Sequence, residues 1–284
     1  MTFTTLISAA ELAQHVFDHD WVVIDCRHDL AKPDAGQQAF AEGHIPNAQF
    51  AHLDDDLAGE KVGADGKFHG RHPLPDRAAF IATLQQWGIG ENTQVVAYDA
   101  HGGMFAARLW WMLKWVGHDA VAVLDGGLPA WVAHGMFVST EASSRTLGTL
   151  KDKPALVASI NADELLKSLN DGRRTIIDAR APDRFRGENE TLDPVGGHIP
   201  GAKNRFFKDN LQADGRFKSA DQLRTEFSDL IKNPEATVMQ CGSGVTACHN
   251  VLALEIAGLT GTALYPGSWS EWCSDPTRPV AQTV

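Results

Sequence analysis

The chain has 284 residues, a formal net charge of −11 and no cluster of Lys or Arg, which argues against nucleic acid or an anionic membrane as a partner. Its length favours two domains, and its four cysteines lack the spacing of zinc sites or small disulfide scaffolds, which fits a reducing compartment. The N-terminal stretch lacks the basic and apolar parts of a signal peptide, and no apolar run reaches 18 residues. We therefore expect a cytoplasmic protein.

The first elements form a series of helix, strand and turn. Ser8 and Glu11 have the spacing of a capping box, which predicts that a helix begins here. An apolar stretch from Trp21 indicates a buried strand that ends near Asp25. A polar stretch then leads to a Gly-His-Ile-Pro turn at residues 43–46.

The same three features return about 150 residues later. Asn161 and Glu164 repeat the capping box, residues 175–180 repeat the strand and residues 197–200 repeat the turn, at offsets of 153 or 154 residues. Each copy alternates apolar strands with helices. The repeat therefore predicts an α/β protein with two tandem domains, each a mainly parallel sheet flanked by helices.

A stretch without periodicity separates the two copies. It is rich in Ser, Thr, Gly and Pro and predicts a linker at residues 137–159, between an N-terminal domain at 1–136 and a C-terminal domain at 160–284. The first copy also has a longer connection after its Gly-His-Ile-Pro turn, around residues 54–75. This polar insert is either a tolerated surface loop or a functional lid, and the sequence leaves both open.

Cys241 has the sequence context of a catalytic nucleophile. It follows an apolar run at 236–240, which predicts a strand, and precedes a periodic stretch at 245–257, which predicts a helix. Two glycines in the next three positions should permit a tight turn whose N–H groups converge at the helix N-terminus and favour the thiolate. In the first copy Asp99 occupies this position, so we expect only the C-terminal copy to be catalytic.

The loop sequence CGSGVTA at 241–247 and the tandem repeat resemble the two-domain rhodanese-type sulfurtransferases, and the loop is most similar to their 3-mercaptopyruvate branch. The resemblance covers nearly the whole chain. It implies that Cys241 takes sulfane sulfur from a small-molecule donor as a persulfide and passes it to a thiophilic acceptor, such as cyanide or a thiol. Thioredoxin-like proteins are candidate acceptors. No metal and no organic cofactor is implied.

The resemblance also assigns roles to other residues. Ser243 would donate to a substrate oxygen or relay a proton, and Arg184 matches an arginine that binds the donor, with Arg186 close enough in sequence to substitute. In some mercaptopyruvate-type members a serine pairs with an Asp and a His of the insert, and Asp54 and His72 match those places, although both are equally typical of a surface loop. The rest of the loop would bind substrate: Gly242, Gly244, Val245 and Thr246.

The chain departs from the mercaptopyruvate branch in one respect. Members usually carry another arginine between the Arg184 motif and the second Gly-His-Ile-Pro turn, but residues 187–197 contain three acids and no basic residue. The loop at 242–246 also has no cation, which disfavours the dianion thiosulfate. We therefore expect 3-mercaptopyruvate to be the donor, with a thiosulfate:cyanide sulfurtransferase and a non-enzymatic persulfide-carrying or redox-sensing module as alternatives.

Two other kinds of thiol site are less consistent with the sequence. A Cys-dependent phosphatase needs an arginine at the position of Ala247, to hold the phosphoryl oxygens. Cys248 lies two helical turns after Cys241 and is predicted to belong to the core, with a resolving thiol as the alternative.

Overall fold

The computed structural model describes residues 2–169 and 171–282 and divides into two compact units. Unit 1 comprises Met1–Gly59, Leu74–Leu156 and Ala213–Phe217, and unit 2 comprises Glu60–Pro73, Val157–Gln212 and Lys218–Val284. Each unit thus includes a short segment that comes from the other repeat of the sequence. The domain boundaries inferred above, with a linker at 137–159, stay predictions.

Unit 1 is a parallel α/β fold. Its strands pair in the order β1-β5-β4-β2-β3, so β4 is central. The strands are β1 (Leu6–Ile7), β2 (Trp21–Asp25), β3 (Gln49–Phe50), β4 (Gln94–Tyr98) and β5 (Val121–Leu124). The helices are α1 (Ala9–Ala13), α2 (Ala35–Glu42), α3 (Arg77–Gln86), α4 (Ala106–Trp115) and α5 (Gly127–Ala133).

Unit 2 has the same topology, with parallel strands in the order β6-β10-β9-β7-β8. The strands are β6 (Ala158–Ser159), β7 (Thr175–Asp178), β8 (Lys203–Asn204), β9 (Thr237–Gln240) and β10 (Ala263–Leu264). The helices are α6 (Ala162–Leu169), α7 (Pro182–Arg186), α8 (Ala220–Ser228), α9 (Thr246–Ile256) and α10 (Ser268–Trp272). The two predicted α/β domains with parallel sheets are confirmed.

The predicted helix starts are also confirmed. The Ser8 hydroxyl accepts a hydrogen bond from the Glu11 N–H, and the Glu11 carboxylate accepts one from the Ser8 N–H, so α1 has a complete capping box. Asn161 and Glu164 make the same reciprocal pair before α6. Within the described residues, no helix has the length and apolar character needed to cross a membrane.

The histidines of the two Gly-His-Ile-Pro turns have a structural role in both units. His44 stacks on Phe40 and His198 stacks on Phe185, each with 3.9 Å between ring centroids. In both cases Nδ1 donates to the carbonyl oxygen of the same phenylalanine, at 2.8 Å. Since both copies share this contact, it helps to close each turn onto the preceding helix and does not distinguish a catalytic copy.

The insert of the first copy contains a short motif that also occurs in the second copy. Ala64–Phe68 reads Ala-Asp-Gly-Lys-Phe and Ala213–Phe217 reads Ala-Asp-Gly-Arg-Phe. The glycine is left-handed in each, with φ of 73° at Gly66 and 81° at Gly215. The insert is therefore a longer form of a connection present in both copies, and its residues Glu60–Pro73 pack with unit 2. This motif is not among the features predicted from the sequence.

Candidate active site

Cys241 lies directly after β9, the central strand of unit 2. The carboxyl end of a central parallel strand is where open α/β sheets bind their ligands. Hydrogen bonds fix the backbone of Cys241 on both sides, because its N–H donates to Ser268 Oγ at 3.1 Å and its carbonyl accepts from the Trp269 N–H at 3.0 Å. The thiol is therefore held at one defined place at the edge of the sheet.

Gly244 makes the tight turn that aims the loop into α9. Its φ is 77°, and a Cβ at this position would lie 2.2 Å from the carbonyl oxygen of Pro266. Glycine is thus required both for backbone conformation and for space. Helix α9 begins two residues later with Thr246, so its N-terminus and its dipole favour an anion at Cys241.

Gly242 has a different role from the one expected. Its backbone is outside the left-handed region, so the turn itself does not require glycine there. A Cβ would instead lie 2.8 Å from Nη2 of Arg71 and 3.7 Å from Nη1 and Nη2 of Arg184. The missing side chain leaves room for the Arg71 guanidinium, whereas that of Arg184 lies at ordinary contact distance beside the loop.

Arg184 is the first of these two guanidinium groups, and its expected role in binding the donor stays a prediction. Its Nε and Nη2 donate to the Glu190 carboxylate at 3.1 and 2.8 Å. Glu190 is buried and also accepts from the N–H groups of Leu192 and Asp193. Burial by itself would raise the pKa of Glu190, but the hydrogen bonds from Arg184 and the two amides outweigh it and lower the pKa. The carboxylate therefore stays charged and orients Arg184.

Arg71 is the second guanidinium group, and it is not among the site residues predicted from the sequence. Its Nη1 donates to the buried carboxylate of Asp193, and its N–H donates to Ser270 Oγ at 3.1 Å. Residues 242–246 themselves carry no cation, but Arg71 adds a second cation beside the loop to that of Arg184. One feature of the sequence could have indicated Arg71. It directly precedes His72, which is a candidate site residue of the insert.

A third arginine, Arg180, has a structural role. It forms a two-point ion pair with Asp178, donates to the carbonyl of Gly197 at 2.6 Å, and lies over the Trp269 ring at 4.7 Å. Arg27 of unit 1 makes the equivalent bonds to Asp25 and to the carbonyl of Gly43. Three cations thus face three carboxylates beside the loop: Arg71, Arg180, Arg184, Asp178, Glu190 and Asp193. Their formal charges cancel.

Ser243 and His72 form a buried pair. The distance from His72 Nδ1 to Ser243 Oγ is 2.7 Å, within hydrogen-bonding range. The two side chains are brought together because Glu60–Pro73 packs with unit 2, across 171 residues of sequence. The contact matches the pairing that the resemblance implied, and the roles of both residues in the reaction stay predictions.

Asp54 belongs to unit 1. Its carboxylate is 3.9 Å from His28 Nε2, too far for a direct hydrogen bond. Together with His52 these residues form a group whose ligand-type atoms all lie within 4.8 Å of one another, a spacing that would suit a metal ion and that no motif in the sequence indicated. The predicted role of Asp54 beside Ser243 and His72 stays a prediction.

Arg186 lies at the surface, where it pairs with a neighbouring carboxylate. Its side chain is exposed and makes two hydrogen bonds, of 2.7 and 2.8 Å, to the exposed carboxylate of Glu188. The guanidinium that accompanies Arg184 at Gly242 is that of Arg71. The geometry therefore does not support the idea that Arg186 substitutes for Arg184.

The corresponding loop of unit 1 is already filled by an anion of the chain itself. Asp99 is fully buried, and its carboxylate accepts four backbone hydrogen bonds of 2.8–3.0 Å. The donors are the N–H groups of His101, Gly103, Phe105 and Ala106. A turn of this kind therefore binds an anion, and in unit 1 the side chain of Asp99 takes the place that a charged sulfur would need.

The comparisons with known proteins agree with this architecture. Residues 8–134 and 161–275 match the family of rhodanese-like domains. A probable 3-mercaptopyruvate sulfurtransferase of Pseudomonas aeruginosa is 46% identical over 285 residues, which cover 99% of either chain. A putative thiosulfate sulfurtransferase of Mycobacterium tuberculosis is 41% identical, over 98% of this chain and 96% of the relative.

The solved structure of a 3-mercaptopyruvate sulfurtransferase from Leishmania major superposes with a TM-score of 0.84 at 31% identity, covering 95% of this chain and 74% of that one. The chain has two α/β domains with parallel sheets, and in the second a cysteine-containing loop follows the central strand. These features define the class of protein: tandem-domain proteins with two rhodanese-like domains. The chain belongs to the rhodanese-like domain family and carries two copies of the domain.

Proposed function

We propose that this protein is a 3-mercaptopyruvate sulfurtransferase, which carries sulfane sulfur as a persulfide on Cys241. The observation that carries the proposal is the loop itself: a cysteine at the N-terminus of α9, flanked by two guanidinium groups and the Ser243–His72 pair. The sulfurtransferase names of full-length relatives support the same reaction class.

In the first half-reaction the Cys241 thiolate attacks the sulfur of the donor's mercapto group. The sulfur–sulfur bond forms as the donor's carbon–sulfur bond breaks, and the electron pair stays on carbon as the enolate of pyruvate. The proton of the mercapto group ends on that carbon and gives pyruvate. Ser243, hydrogen-bonded to His72, is suited to relay this proton.

In the second half-reaction an acceptor removes the terminal sulfur. Cyanide attacks it, the sulfur–sulfur bond breaks, and thiocyanate leaves while the Cys241 thiolate is restored. A thiol or a thioredoxin-like protein would take the sulfur in the same way, and free, buried thiols in this chain fit a reducing, cytoplasmic setting for such acceptors. Since the donor product leaves before the acceptor reacts, the kinetics should be ping-pong.

The charges beside the loop favour a donor with a single carboxylate. Arg71 and Arg184 are cations at its rim, but Glu190 and Asp193 already neutralise them. A monoanion such as 3-mercaptopyruvate can use their remaining hydrogen-bonding edges, whereas the dianion thiosulfate would bring a second charge against buried carboxylates. We expect kcat/KM for 3-mercaptopyruvate to exceed that for thiosulfate at least about tenfold, or roughly 1.4 kcal/mol at the transition state.

Two measurements test the proposal. Mass spectrometry after incubation with each donor should find one added sulfur on the Cys241 peptide, and steady-state thiocyanate formation should give the donor preference. A thiosulfate preference would make the protein a thiosulfate:cyanide sulfurtransferase. Stoichiometric loading of Cys241 without turnover would instead indicate a persulfide-carrying or redox-sensing module.

A further inference from the structure

We propose that His28, His52 and Asp54 of unit 1 form a binding site for a divalent transition-metal ion, and that Zn²⁺ is the ion that fits it best. Each residue offers one ligand atom, and these atoms all lie within 4.8 Å of one another. The inference goes beyond the proposed function, because it concerns a resident ligand of unit 1 and not a substrate of Cys241.

The sheet of unit 1 brings the three residues to one edge. Strands β2 and β3 are parallel and end side by side, with Asp25 paired to Phe50. His28 follows β2 by three residues, and His52 and Asp54 follow β3 by two and four. The carboxyl ends of parallel strands are where open α/β sheets bind their ligands. The topology of unit 1 therefore places two imidazoles and a carboxylate where a ligand is expected.

His28 is buried without the hydrogen bonds that a buried imidazole normally makes. It is 4% exposed, and its Nδ1 has no hydrogen-bond partner among the described residues. Its Nε2 lies 3.9 Å from Asp54 Oδ2, too far for a direct hydrogen bond. Burial lowers the pKa of His28, although the Asp54 carboxylate acts in the opposite direction. At neutral pH the imidazole is therefore uncharged, which is the form that binds a metal ion.

The distance between His28 and Asp54 suits an ion held between them. Bonds from Zn²⁺ to imidazole nitrogen and carboxylate oxygen are about 2.0–2.2 Å long, so two ligand atoms of a tetrahedral site lie about 3.4 Å apart. The observed 3.9 Å has to shorten by only about 0.5 Å. The side chains of His52 and Asp54 are 14% and 27% exposed, so solvent reaches the site and an ion has a path into it.

The charge around the three residues favours a cation. The Asp55 carboxylate lies 3.3 Å from His52 Nδ1, and Asp29 acts electrostatically on His28. A carboxylate beside a ligating histidine commonly orients the ring and strengthens its bond to the metal. Two imidazoles and one carboxylate suit Zn²⁺, whereas Mg²⁺ and Ca²⁺ prefer oxygen ligands. A water molecule would complete a tetrahedral site.

The ligand set occurs in the first copy only. At the repeat offsets of 153 and 154 residues, the counterparts in the second copy are Ala181, Phe206 and Lys208, and none of these is a metal ligand of the same kind. The histidines of the Gly-His-Ile-Pro turns, in contrast, are shared and make the same contacts in both units. A side chain that both copies share serves the fold, whereas the group in unit 1 is not required by it.

Calorimetric titration of the full chain with Zn²⁺ tests the site. The parent protein carries Cys241→Ser, because the Cys241 thiolate would itself bind zinc. We expect one zinc ion per chain, and His52→Ala and Asp54→Asn should each weaken its binding at least about a hundredfold by removing one of three ligands. The control, His134→Ala, removes an exposed histidine of the same unit and should leave the affinity within about twofold. Mg²⁺ should not compete.

Cobalt identifies the ligands independently of the variants. Co²⁺ bound to the parent protein should give the d–d absorption of a nitrogen and oxygen site without a thiolate charge-transfer band, since none of the three ligands is a cysteine. Thermal melting without metal shows whether each variant is folded, and where one is not, the cobalt spectrum decides. A thiolate band, no zinc binding by the parent, or unchanged zinc affinity in folded His52→Ala and Asp54→Asn would each overturn the proposal.

Discussion

At the level of single residues, the four cysteines differ in what surrounds them. Burial raises the pKa of the Cys26 thiol well above its usual value and raises that of Cys273 to about 11, so both stay protonated at neutral pH. Cys248 donates from its thiol to the carbonyl of Gly244, at 3.3 Å. Cys241 is the cysteine that stands before a helix N-terminus and beside guanidinium groups. Reactivity is therefore expected of this thiol.

We expect Cys241→Ser to abolish sulfur transfer and Cys248→Ser to retain most of it. An alcohol is not ionised at neutral pH and cannot carry sulfane sulfur, whereas the Cys248 thiol donates to the carbonyl of Gly244 and lies within α9. Thiocyanate formation from 3-mercaptopyruvate and cyanide measures both variants. Comparable losses in the two would indicate a two-thiol redox site instead.

The lowered pKa of Glu190 predicts a pH-dependent contribution to stability. Because its folded-state pKa lies below the usual 4.5, the carboxylate contributes stability above that value and loses it as the pH falls through the folded pKa. Glu190→Gln should lower the free energy of unfolding at pH 7 by about 3 kcal/mol, since it removes the carboxylate bonded to Nε and Nη2 of Arg184 and one of the two buried carboxylates beside Arg180. The difference in the free energy of unfolding between the wild type and Glu190→Gln should decrease below pH 4.5.

Urea denaturation of wild type and Glu190→Gln at a series of pH values provides the measurement. The control is Glu188→Gln, which removes an exposed carboxylate paired with Arg186 and should change the stability much less. A difference for Glu190→Gln that does not vary with pH would contradict the assigned electrostatic role.

At the level of elements, the same strand–loop–helix unit serves two purposes. In unit 2 the loop after β9 ends at Val245, and α9 begins with Thr246. In unit 1 the loop after β4 is two residues longer relative to the repeat, and α4 begins with Ala106, which aligns with Cys248. The backbone donors of unit 1 thus converge on the Asp99 carboxylate, at the end of its own side chain. In the loop after β9, the place that corresponds to the Asp99 carboxylate is available for the sulfur of Cys241.

We expect that Asp99→Cys does not create a second sulfur-transfer site. A thiol is one atom shorter in reach and lacks the second oxygen, so the four donors that serve two carboxylate oxygens would not be satisfied. In a Cys241→Ser background, mass spectrometry after incubation with 3-mercaptopyruvate should find no persulfide on that peptide. Persulfide formed there as fast as on Cys241 of the wild type would refute the expectation.

At the level of the whole molecule, the two repeats are not independent stretches of sequence. Glu60–Pro73 lies in the first repeat but packs with unit 2, and Ala213–Phe217 lies in the second repeat but packs with unit 1. In unit 1 the Phe217 N–H donates to Asp125 at 2.9 Å, and in unit 2 the first segment contributes Arg71 and His72 to the Cys241 loop. Unit 2 cut at the sequence boundary would lack both side chains.

A fragment of residues 157–284 should therefore transfer sulfur at least about a hundredfold more slowly than the full chain, even though it keeps Cys241 and Arg184. Steady-state thiocyanate formation measures the loss. The full chain with Arg71→Ala and His72→Ala together is the matched control, because it removes the two side chains and keeps the segment. Full activity of a folded fragment would contradict the assignment of Glu60–Pro73 to the catalytic unit.

Much of the fold, and the position of Cys241 after a central strand, could be predicted because their signals are local. Capping boxes, apolar strands and the turn glycine Gly244 act within a few residues, and parallel topology follows from alternation of strand and helix. The close approach at Gly242 could not be predicted, because the group that approaches belongs to Arg71, which is far away in the sequence. Glycine suits a tight backbone turn and the close approach of another group equally well. The residue type alone therefore does not show which of the two applies at a given position.

The sequence by itself determined that this protein has two α/β copies and that Cys241, not Asp99, is the thiol at the end of a central strand. The periodicity of apolar residues and the chemistry of one side chain suffice for that. Only the tertiary structure decided which residues surround the thiol. Arg71 and His72 are 170 and 169 residues from Cys241 in the chain, and they reach its loop through backbone packing against α10 and burial of charge on Asp193. Such long-range contacts leave no periodic trace in the sequence.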